Sequence, residues 1–168
     1  MVDTVRGSLA LAAAFALAFS ASACARHNAE SDLAAGGGAG YAAAGPGSVR
    51  EFNQTVGDRV FFDTDQTDLS PTAQATLDKQ AAWLNQYNRY FFIVEGHADE
   101  RGTREYNFAL GVRRAQAVHD YLVAKGVAAS RMRTISYGKE RPVAVCDDIS
   151  CWSQNRRAVT VLNGAPAS

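Results

Sequence analysis

The sequence predicts a single α+β domain in which helices pack against a sheet. Short apolar, aromatic-rich runs alternate with segments of helical periodicity between about residues 57 and 162, in the order β-α-β-α-β-β. The chain has 168 residues, 47% of them apolar, which is sufficient for one packed core. We therefore predict one domain over residues 57–163, followed by a short tail at 164–168.

Local signals predict the first strand and the first long helix. Val60-Phe61-Phe62 is a short apolar run that ends at the turn-rich segment Asp63-Thr64-Asp65. Ser70 followed by Pro71 is typical of a helix start, because serine caps free amide groups and proline is tolerated at the first helical position. Helical spacing then predicts a buried stripe of Ala73, Leu77, Ala81 and Leu84.

The second half of the domain continues the alternation. Residues 90–94 are apolar on both faces, which predicts a central strand. A second helix is predicted from about Arg104 to Lys125, with Gly126 as its carboxy-terminal cap. Two further strands are predicted at 132–137 and 158–162, with an irregular segment between them. The predicted core stripe of the second helix consists of Phe108, Val112, Ala115 and Leu122.

Residues 1–23 have the organisation of an export signal. Arg6 precedes an apolar run from Leu9 to Phe19, which is too short to span a membrane comfortably, and small residues follow up to Ala23. Cys24 comes directly after them, which resembles the lipobox of bacterial lipoproteins, where the cysteine becomes the acylated amino terminus. We therefore predict lipidation at Cys24. The alternative is a secreted protein that is cleaved at the same bond and carries an incidental cysteine.

The segment after the export signal is predicted to be a flexible tether over residues 24–56. From residue 25 to about residue 50 it consists largely of Ala, Gly and Ser, which cannot bury enough apolar surface to order themselves. Phe52 is interpreted as a solvated linker aromatic. A lipid at one end and a domain at the other would let the domain contact something away from the membrane.

Two cysteines remain once Cys24 is assigned to a lipid. Cys146 and Cys151 are separated by four residues, and an exported protein enters a compartment that permits disulfides. A disulfide between them is the favoured interpretation. The alternative is a zinc site, for which two cysteines without nearby histidines supply only half a ligand set.

The densest polar stretch of the domain, residues 95–103, lies between the predicted central strand and the second helix. Binding groups commonly lie at such a position. Asn107, Leu110 and Arg114 lie on one side of the following helix, apart from its predicted core stripe. If the loop folds back over that side, the anion Asp99 and the cation Arg114 face one small site. The alternative is that these two residues form only a structural ion pair.

Six short motifs follow one another along the domain. They are Gly96-His97-Ala98-Asp99-Glu100-Arg101-Gly102-Thr103, Glu105-Tyr106-Asn107, Leu110-Gly111, Arg113-Arg114-Ala115, Ser136-Tyr137-Gly138-Lys139-Glu140 and Asn155-Arg156-Arg157-Ala158-Val159. In their order and spacing they resemble the OmpA-like family, and within it the peptidoglycan-associated lipoproteins. The resemblance covers about residues 57–162. It implies a sandwich whose helices pack on one mixed four-stranded sheet.

In that family the domain binds diaminopimelate in the peptide stem of peptidoglycan without cleaving it, so the resemblance implies a binding protein and not an enzyme. Asp99 would hold the ammonium group of the ligand and Arg114 its carboxylate. A free amino-acid terminus is a zwitterion, so it needs one acceptor and one planar donor fork. The other ligand-contacting residues that the resemblance implies are Asp65, Arg101, Asn107 and Leu110. We predict no cofactor and no catalytic residue.

The resemblance also implies a location and partners. The chain would be anchored in the outer membrane by its lipid, with the domain in the periplasm, and would contact TolB and other Tol-system proteins in cell division and envelope integrity. One alternative is an OmpA-like wall anchor of another envelope complex without Tol contact, and another is a wall hydrolase. The net charge of zero offers no basic field, so no nucleic-acid partner is predicted.

Three further sets of residues stand out in the sequence. Thr64 stands where the family usually has an aromatic residue and Arg104 where it usually has proline, and both are expected to affect affinity. Arg156 and Arg157 are interpreted as strand-edge charges. His97 lies near two carboxylates, but no second histidine at ligand spacing accompanies it, so we predict no metal site.

Overall fold

A four-stranded mixed sheet organises the computed structural model, which describes residues 45–163. The strands are β1 (Arg59–Phe61), β2 (Phe91–His97), β3 (Met132–Gly138) and β4 (Arg157–Asn163). Their order across the sheet is β1-β4-β2-β3, with β2 parallel to β3 and antiparallel to β4. The predicted α+β class is confirmed, and so is the central position predicted for the second strand.

The helices lie mainly against one face of this sheet. They are α1 (Val49–Glu51), which continues as a π-helix over Phe52–Gly57, α2 (Pro71–Gln86), α3 (Arg104–Ala124) and α4 (Ile149–Asn155), with a 3-10 turn at Ala129–Arg131. The longest helix, α3, packs on β2 and β3, and α2 packs on β1 and α3. Within residues 45–163, no helix has both the length and the apolar character that a membrane crossing requires.

The starts of the two long helices agree with the sequence signals. The hydroxyl of Ser70 accepts a 3.2 Å hydrogen bond from the amide of Ala73, and Pro71 is the first residue of α2. Thr103 caps α3 in the same way, through a 3.2 Å bond from the amide of Tyr106. Gly126 follows the end of α3 with a φ of +87°, a conformation that glycine adopts without steric cost.

A close approach between two glycines fixes how α3 sits on the sheet. A Cβ atom on Gly96 of β2 would lie 1.9 Å from the carbonyl oxygen of Gly111 in α3, so the backbones touch where neither residue has a side chain. This contact sets the rotation of the helix. The residues that face inwards are therefore Asn107, Leu110, Gly111, Arg114, Ala115, Val118 and Leu122.

The predicted core stripe of α3 is wrong at two of its four positions. Ala115 and Leu122 are buried, but Phe108 is 54% exposed and Val112 is 44% exposed. Both lie on the flank of the helix, because the side that carries Gly111 must face the sheet. Asn107, Leu110 and Arg114, the stripe that was expected to face a binding site, are among the buried residues of the helix.

The folded region also begins earlier than residue 57. Phe52 is fully buried and packs at 4.9 Å, centroid to centroid, from Trp83. The carbonyl of Gly47 accepts a 2.7 Å hydrogen bond from the hydroxyl of Tyr90. Residues 45–56 therefore belong to the folded domain, and the interpretation of Phe52 as a solvated linker aromatic is wrong. The export signal, Cys24, the remainder of the predicted tether and the tail at 164–168 lie outside the described residues.

Candidate functional site

Arg114 is the buried centre of the candidate site. Its side chain has no exposed surface, and its guanidinium donates to three backbone carbonyls. The Nη1 atom donates to His97 at 2.8 Å, the Nε atom to Gln66 at 3.0 Å and the Nη2 atom to Asp63 at 3.1 Å. These bonds join the end of β2 to the turn after β1, so Arg114 holds together the two loops that carry Asp99 and Asp65.

Arg114 keeps its positive charge although its side chain is buried. Burial, assisted by the like charge of Arg156, lowers its pKa to about 10. The carboxylates of Asp99 and Asp65 act in the opposite direction and raise the pKa. Arg114 thus remains a cation at neutral pH, and both acidic residues of the candidate site lie close enough for their charges to act on it.

Asp99 is bound by two other arginines. Arg101 donates to it through Nη2 at 2.7 Å, through Nε at 3.3 Å and through its backbone amide at 3.2 Å, and Arg156 donates through Nη1 at 3.3 Å. Burial by itself raises the pKa of Asp99, but the hydrogen bonds from Arg101 and Arg156 outweigh it and hold the pKa below its ordinary value. Asp99 is therefore a carboxylate at neutral pH.

Asp99 and Arg114 do not form an ion pair with each other in the described part of the chain. The salt bridges of Asp99 are to Arg101 and Arg156. The alternative that Asp99 and Arg114 are only a structural ion pair is therefore wrong. What the structure brings together is a buried cation and a buried anion, each held by separate partners.

The remaining predicted residues surround this centre. Asn107 is buried and donates a 2.6 Å bond to the carbonyl of Arg101, which shapes the loop around Asp99. Leu110 is buried at 3% exposure. Asp65 is exposed on the turn after β1, with a φ of +54°, and accepts a 3.3 Å bond from the hydroxyl of Tyr106.

Sequence reasoning missed the role of Arg156. It was interpreted as a strand-edge charge, but it is buried at 6% exposure, bonds Asp99 and donates a 3.1 Å bond to the carbonyl of Phe62. Arg157 is also buried, at 4% exposure. Charge alone does not reveal this, because adjacent arginines before a strand more often lie in solvent.

His97 is buried beneath the site without hydrogen bonds to its ring. It is 1% exposed and stacks at 5.6 Å on Tyr137. Its Nε2 atom lies 3.5 Å from a carboxylate oxygen of Glu95, but neither ring nitrogen makes a hydrogen bond to a described residue. Burial lowers the pKa of His97 to about 4, with the charges of Arg157 and Arg141 acting in the same direction.

A disulfide closes the loop beside Asp99. Cys146 and Cys151 are bonded, with their Cα atoms 5.6 Å apart. The segment that was expected to be irregular contains α4, which carries Trp152 next to Arg101. Among residues 45–163, no three side chains of His, Cys, Asp or Glu are grouped so that they could hold a metal ion.

The two departures from the family pattern lie at the rim. Arg104 forms an exposed 3.1 Å ion pair with Glu140, and Thr64 is exposed on the turn before Asp65. Their expected effect on affinity stays a prediction.

Comparison with known proteins identifies the family that carries this arrangement. Residues 61–156 match the OmpA family. A peptidoglycan-associated lipoprotein of Rhizobium meliloti (strain 1021) is 70% identical over 132 residues, which cover 79% of this chain and 75% of the relative. The chain belongs to the OmpA family, among its peptidoglycan-associated lipoproteins.

Solved structures agree with this assignment. The crystal structure of the peptidoglycan-associated lipoprotein from Burkholderia pseudomallei superposes with a TM-score of 0.63 at 39% identity, covering 66% of this chain and 96% of that one. The carboxy-terminal domain of Helicobacter pylori MotB has a TM-score of 0.59 at 20% identity, covers 63% and 84% of the two chains, and shares the fold. Membership of this family of non-enzymatic lipoproteins confirms the prediction that the chain is not an enzyme.

Proposed function

We propose that this chain is an outer-membrane lipoprotein that binds peptidoglycan non-covalently through the diaminopimelate of its peptide stems. The observation that carries the proposal is the convergence of Asp65, Asp99 and Arg114, which the three backbone bonds of Arg114 enforce. Family membership supports it, because the relatives are named peptidoglycan-associated lipoproteins.

The chemistry of the site suits a zwitterionic terminus. Asp99 is an acceptor for the ammonium group of the ligand. Arg114 has five N–H groups, of which three bond the backbone and two remain. Because its side chain is fully buried, those two groups reach a ligand carboxylate only when the side chains that cover Arg114 move aside. Arg101 is the more exposed partner of Asp99, with 40% of its side chain accessible, against 7% for Arg156. Arg101 is therefore the partner that moves when an ammonium group approaches, while Arg156 stays in place.

Sedimentation with purified sacculi tests the wall-binding proposal. The chain from Ala25 onward, which contains the whole described domain, is expected to pellet with sacculi whose stems carry diaminopimelate. The matched control is wall material whose stems carry lysine, since the lysine side chain keeps an ammonium group but lacks the adjacent carboxylate. Equal sedimentation with both walls, or none with either, would contradict the proposed ligand.

The anchor and the protein partners belong to the same proposal. Acylation of Cys24 would hold the chain in the outer membrane, and weak contacts with the wall would add up, because many anchored copies face one polymer. TolB and other Tol-system proteins are the proposed partners, and the support for them is family membership alone. Co-purification of TolB with the full-length chain from membranes tests the partnership. The lipid anchor is tested with a Cys24→Ser chain, and it would be contradicted if that chain still fractionated with the outer membrane.

A further inference from the structure

Trp152 contacts both residues that follow Asp99. The guanidinium carbon of Arg101 lies 4.2 Å from the centroid of the Trp152 ring. The indole Nε1 atom of Trp152 also donates a hydrogen bond to the carboxylate of Glu100. Trp152 of α4 thus holds the loop that carries Asp99 through both its aromatic face and its indole N–H group.

This contact matters because Arg101 is the accessible cation of the site. Arg114 is fully buried and bonds three carbonyls, whereas 40% of the Arg101 side chain is exposed. A long exposed side chain loses considerable rotamer freedom when it is fixed in one place. The ring of Trp152 offsets part of that cost by a cation–π contact, which keeps the guanidinium at the rim when it leaves Asp99.

Trp152 does not belong to the hydrophobic core. It is half-buried, and the described core cluster of α2, α3 and the sheet does not include it. Its polar and stacking contacts are with Glu100 and Arg101. Removing its side chain therefore leaves no large internal cavity, and the main consequence falls on the binding loop.

Two sets of contacts close the segment between β3 and β4, which contains α4 and Trp152. The side chain of Asn155 accepts bonds from the amides of Val143 and Ala144 at 2.9 and 3.2 Å and donates to the carbonyl of Ala144 at 2.8 Å. The disulfide from Cys146 ends on Cys151, which is 7% exposed and directly precedes Trp152. The disulfide thus fixes the backbone at the residue next to the indole.

We propose that Trp152 is a positioning residue for ligand binding, which keeps Arg101 at the rim of the site, and that the Cys146–Cys151 disulfide holds Trp152 in place. This inference rests on the proposed function, because it concerns the same site. Arg101 is a partly exposed cation, so the ligand group that it would meet is a carboxylate of the wall peptide.

A double-mutant cycle on sacculus binding tests the role of Trp152. In the chain from Ala25 onward, Trp152→Ala is expected to weaken binding to diaminopimelate-containing sacculi about 3- to 10-fold. Trp152→Phe is expected to weaken binding by less, because phenylalanine keeps a ring, although it lacks the N–H group. In an Arg101→Ala background, Trp152→Ala is expected to change binding less than about twofold, since the partner through which it acts is absent. An equal loss in both backgrounds, or no loss in either, overturns the inference.

Ile149→Ala is the matched control for this cycle. Ile149 lies on the same helix and is 61% exposed, and its removal is expected to leave binding unchanged. Urea unfolding of every variant verifies that the compared chains are folded at the temperature of the assay.

The disulfide is tested by reduction. A dithiol reductant transfers two electrons and two protons to the Cys146–Cys151 bond, giving two thiols, and itself becomes a cyclic disulfide. Reduction is expected to weaken sacculus binding of the wild-type chain about 2- to 10-fold and to leave the Cys146→Ser/Cys151→Ser variant unaffected. Unchanged binding after complete reduction overturns the inference that the disulfide holds Trp152 in place.

Failure of this inference is distinguishable from failure of the proposed function. If the wild-type chain does not bind sacculi, the proposed function fails. If the wild-type chain binds and Asp99→Asn does not, while Trp152→Ala binds like wild type, only the role of Trp152 is overturned.

Discussion

Arg114 and His97 are joined by a 2.8 Å hydrogen bond from Nη1 of the arginine to the backbone carbonyl of the histidine. His97 ends β2, two residues before Asp99, and the other two guanidinium bonds end on either side of Asp65. One buried cation thus places both carboxylates of the proposed site. Only a guanidinium has donors in a planar fork that can reach three separate carbonyls at once.

We expect Arg114→Lys to destabilise the domain although it preserves the charge. The carbonyls of Asp63, Gln66 and His97 bond three different nitrogens of Arg114. The donors of an ammonium group all lie on one nitrogen, so buried acceptors are expected to lose their donors. The free energy of unfolding is expected to fall by about 2–4 kcal/mol, measured by urea denaturation. The matched control is Arg113→Lys, one residue earlier and exposed, which should leave stability within about 0.5 kcal/mol. Equal stabilities of the two variants would contradict the structural role of Arg114.

Asp99→Asn separates the effect on binding from the effect on folding more cleanly than Arg114→Lys does. The amide keeps the shape of the side chain but removes the charge that bonds Arg101 and Arg156. Because Arg156 is buried, its lost partner is expected to reduce the free energy of unfolding by about 1–3 kcal/mol. The folded fraction should nevertheless fail to pellet with diaminopimelate-containing sacculi. Asp120→Asn, an exposed change on α3, is the control, and sedimentation of both variants like wild type would contradict a role for Asp99 in binding.

Much of the fold could be predicted because its signals are local. Only neighbouring residues are needed to predict the Ser70-Pro71 start of α2 and the apolar run of β2. The boundary at residue 57 was wrong for the same reason. The burial of Phe52 depends on Trp83, more than 30 residues later, and composition cannot show such a contact.

The site was only partly predictable, because its geometry depends on tertiary contacts. The family motif indicated Asp99 and Arg114, but it did not show that Arg156, which is 57 residues from Asp99, is the buried partner of that carboxylate. Phe108 was assigned to the core by helical spacing, whereas a backbone contact at Gly111 turns it outwards. Helical periodicity predicts that a helix has an apolar side, but it does not predict which side packs against a neighbouring backbone.

Stability is expected to decrease with acidification because of His97. In the folded protein burial and the charges of Arg157 and Arg141 lower the pKa of His97 from 6.5 to about 4. As the pH falls from 6.5 towards 4, the unfolded chain binds a proton that the folded protein does not, so the folded state loses stability across that window. The contribution of this residue is about 3 kcal/mol.

Urea denaturation of His97→Phe from pH 7.5 to pH 4 measures that contribution. Phenylalanine keeps the stacking on Tyr137 and removes two ring nitrogens that make no hydrogen bond to a described residue, so stability near neutral pH should be preserved. Glu95, whose side chain lies 3.5 Å from the ring of His97, is present in both proteins. The variant should lose less stability than wild type on acidification. If the free energies of unfolding of the two proteins depend on pH in the same way, His97 is not the cause of the loss.

We expect Gly96→Ala to disturb the packing of α3 and, through it, the site. The added methyl group would lie 1.9 Å from the carbonyl oxygen of Gly111, so one backbone must move. The expected cost is about 2–4 kcal/mol in the free energy of unfolding, with weaker sacculus binding because Arg114 lies one turn further along α3. Gly45→Ala is the control, since a Cβ atom there meets nothing within 4 Å. A stable Gly96→Ala variant would show that the helix is not held at this contact.

Phe52→Ala tests whether the folded domain includes residues 45–56. Phe52 is fully buried against Trp83, so its truncation is expected to lower the free energy of unfolding by about 3–5 kcal/mol. Phe108→Ala is the matched control, because that ring is 54% exposed and its removal should cost about 1 kcal/mol or less. A chain that begins at residue 57 should be destabilised at least as much as Phe52→Ala, because it lacks the same aromatic contact and the bonds of Gly47 to Tyr90 and Arg89. Equal unfolding midpoints for the chains that begin at residues 45 and 57 would return the domain boundary to residue 57.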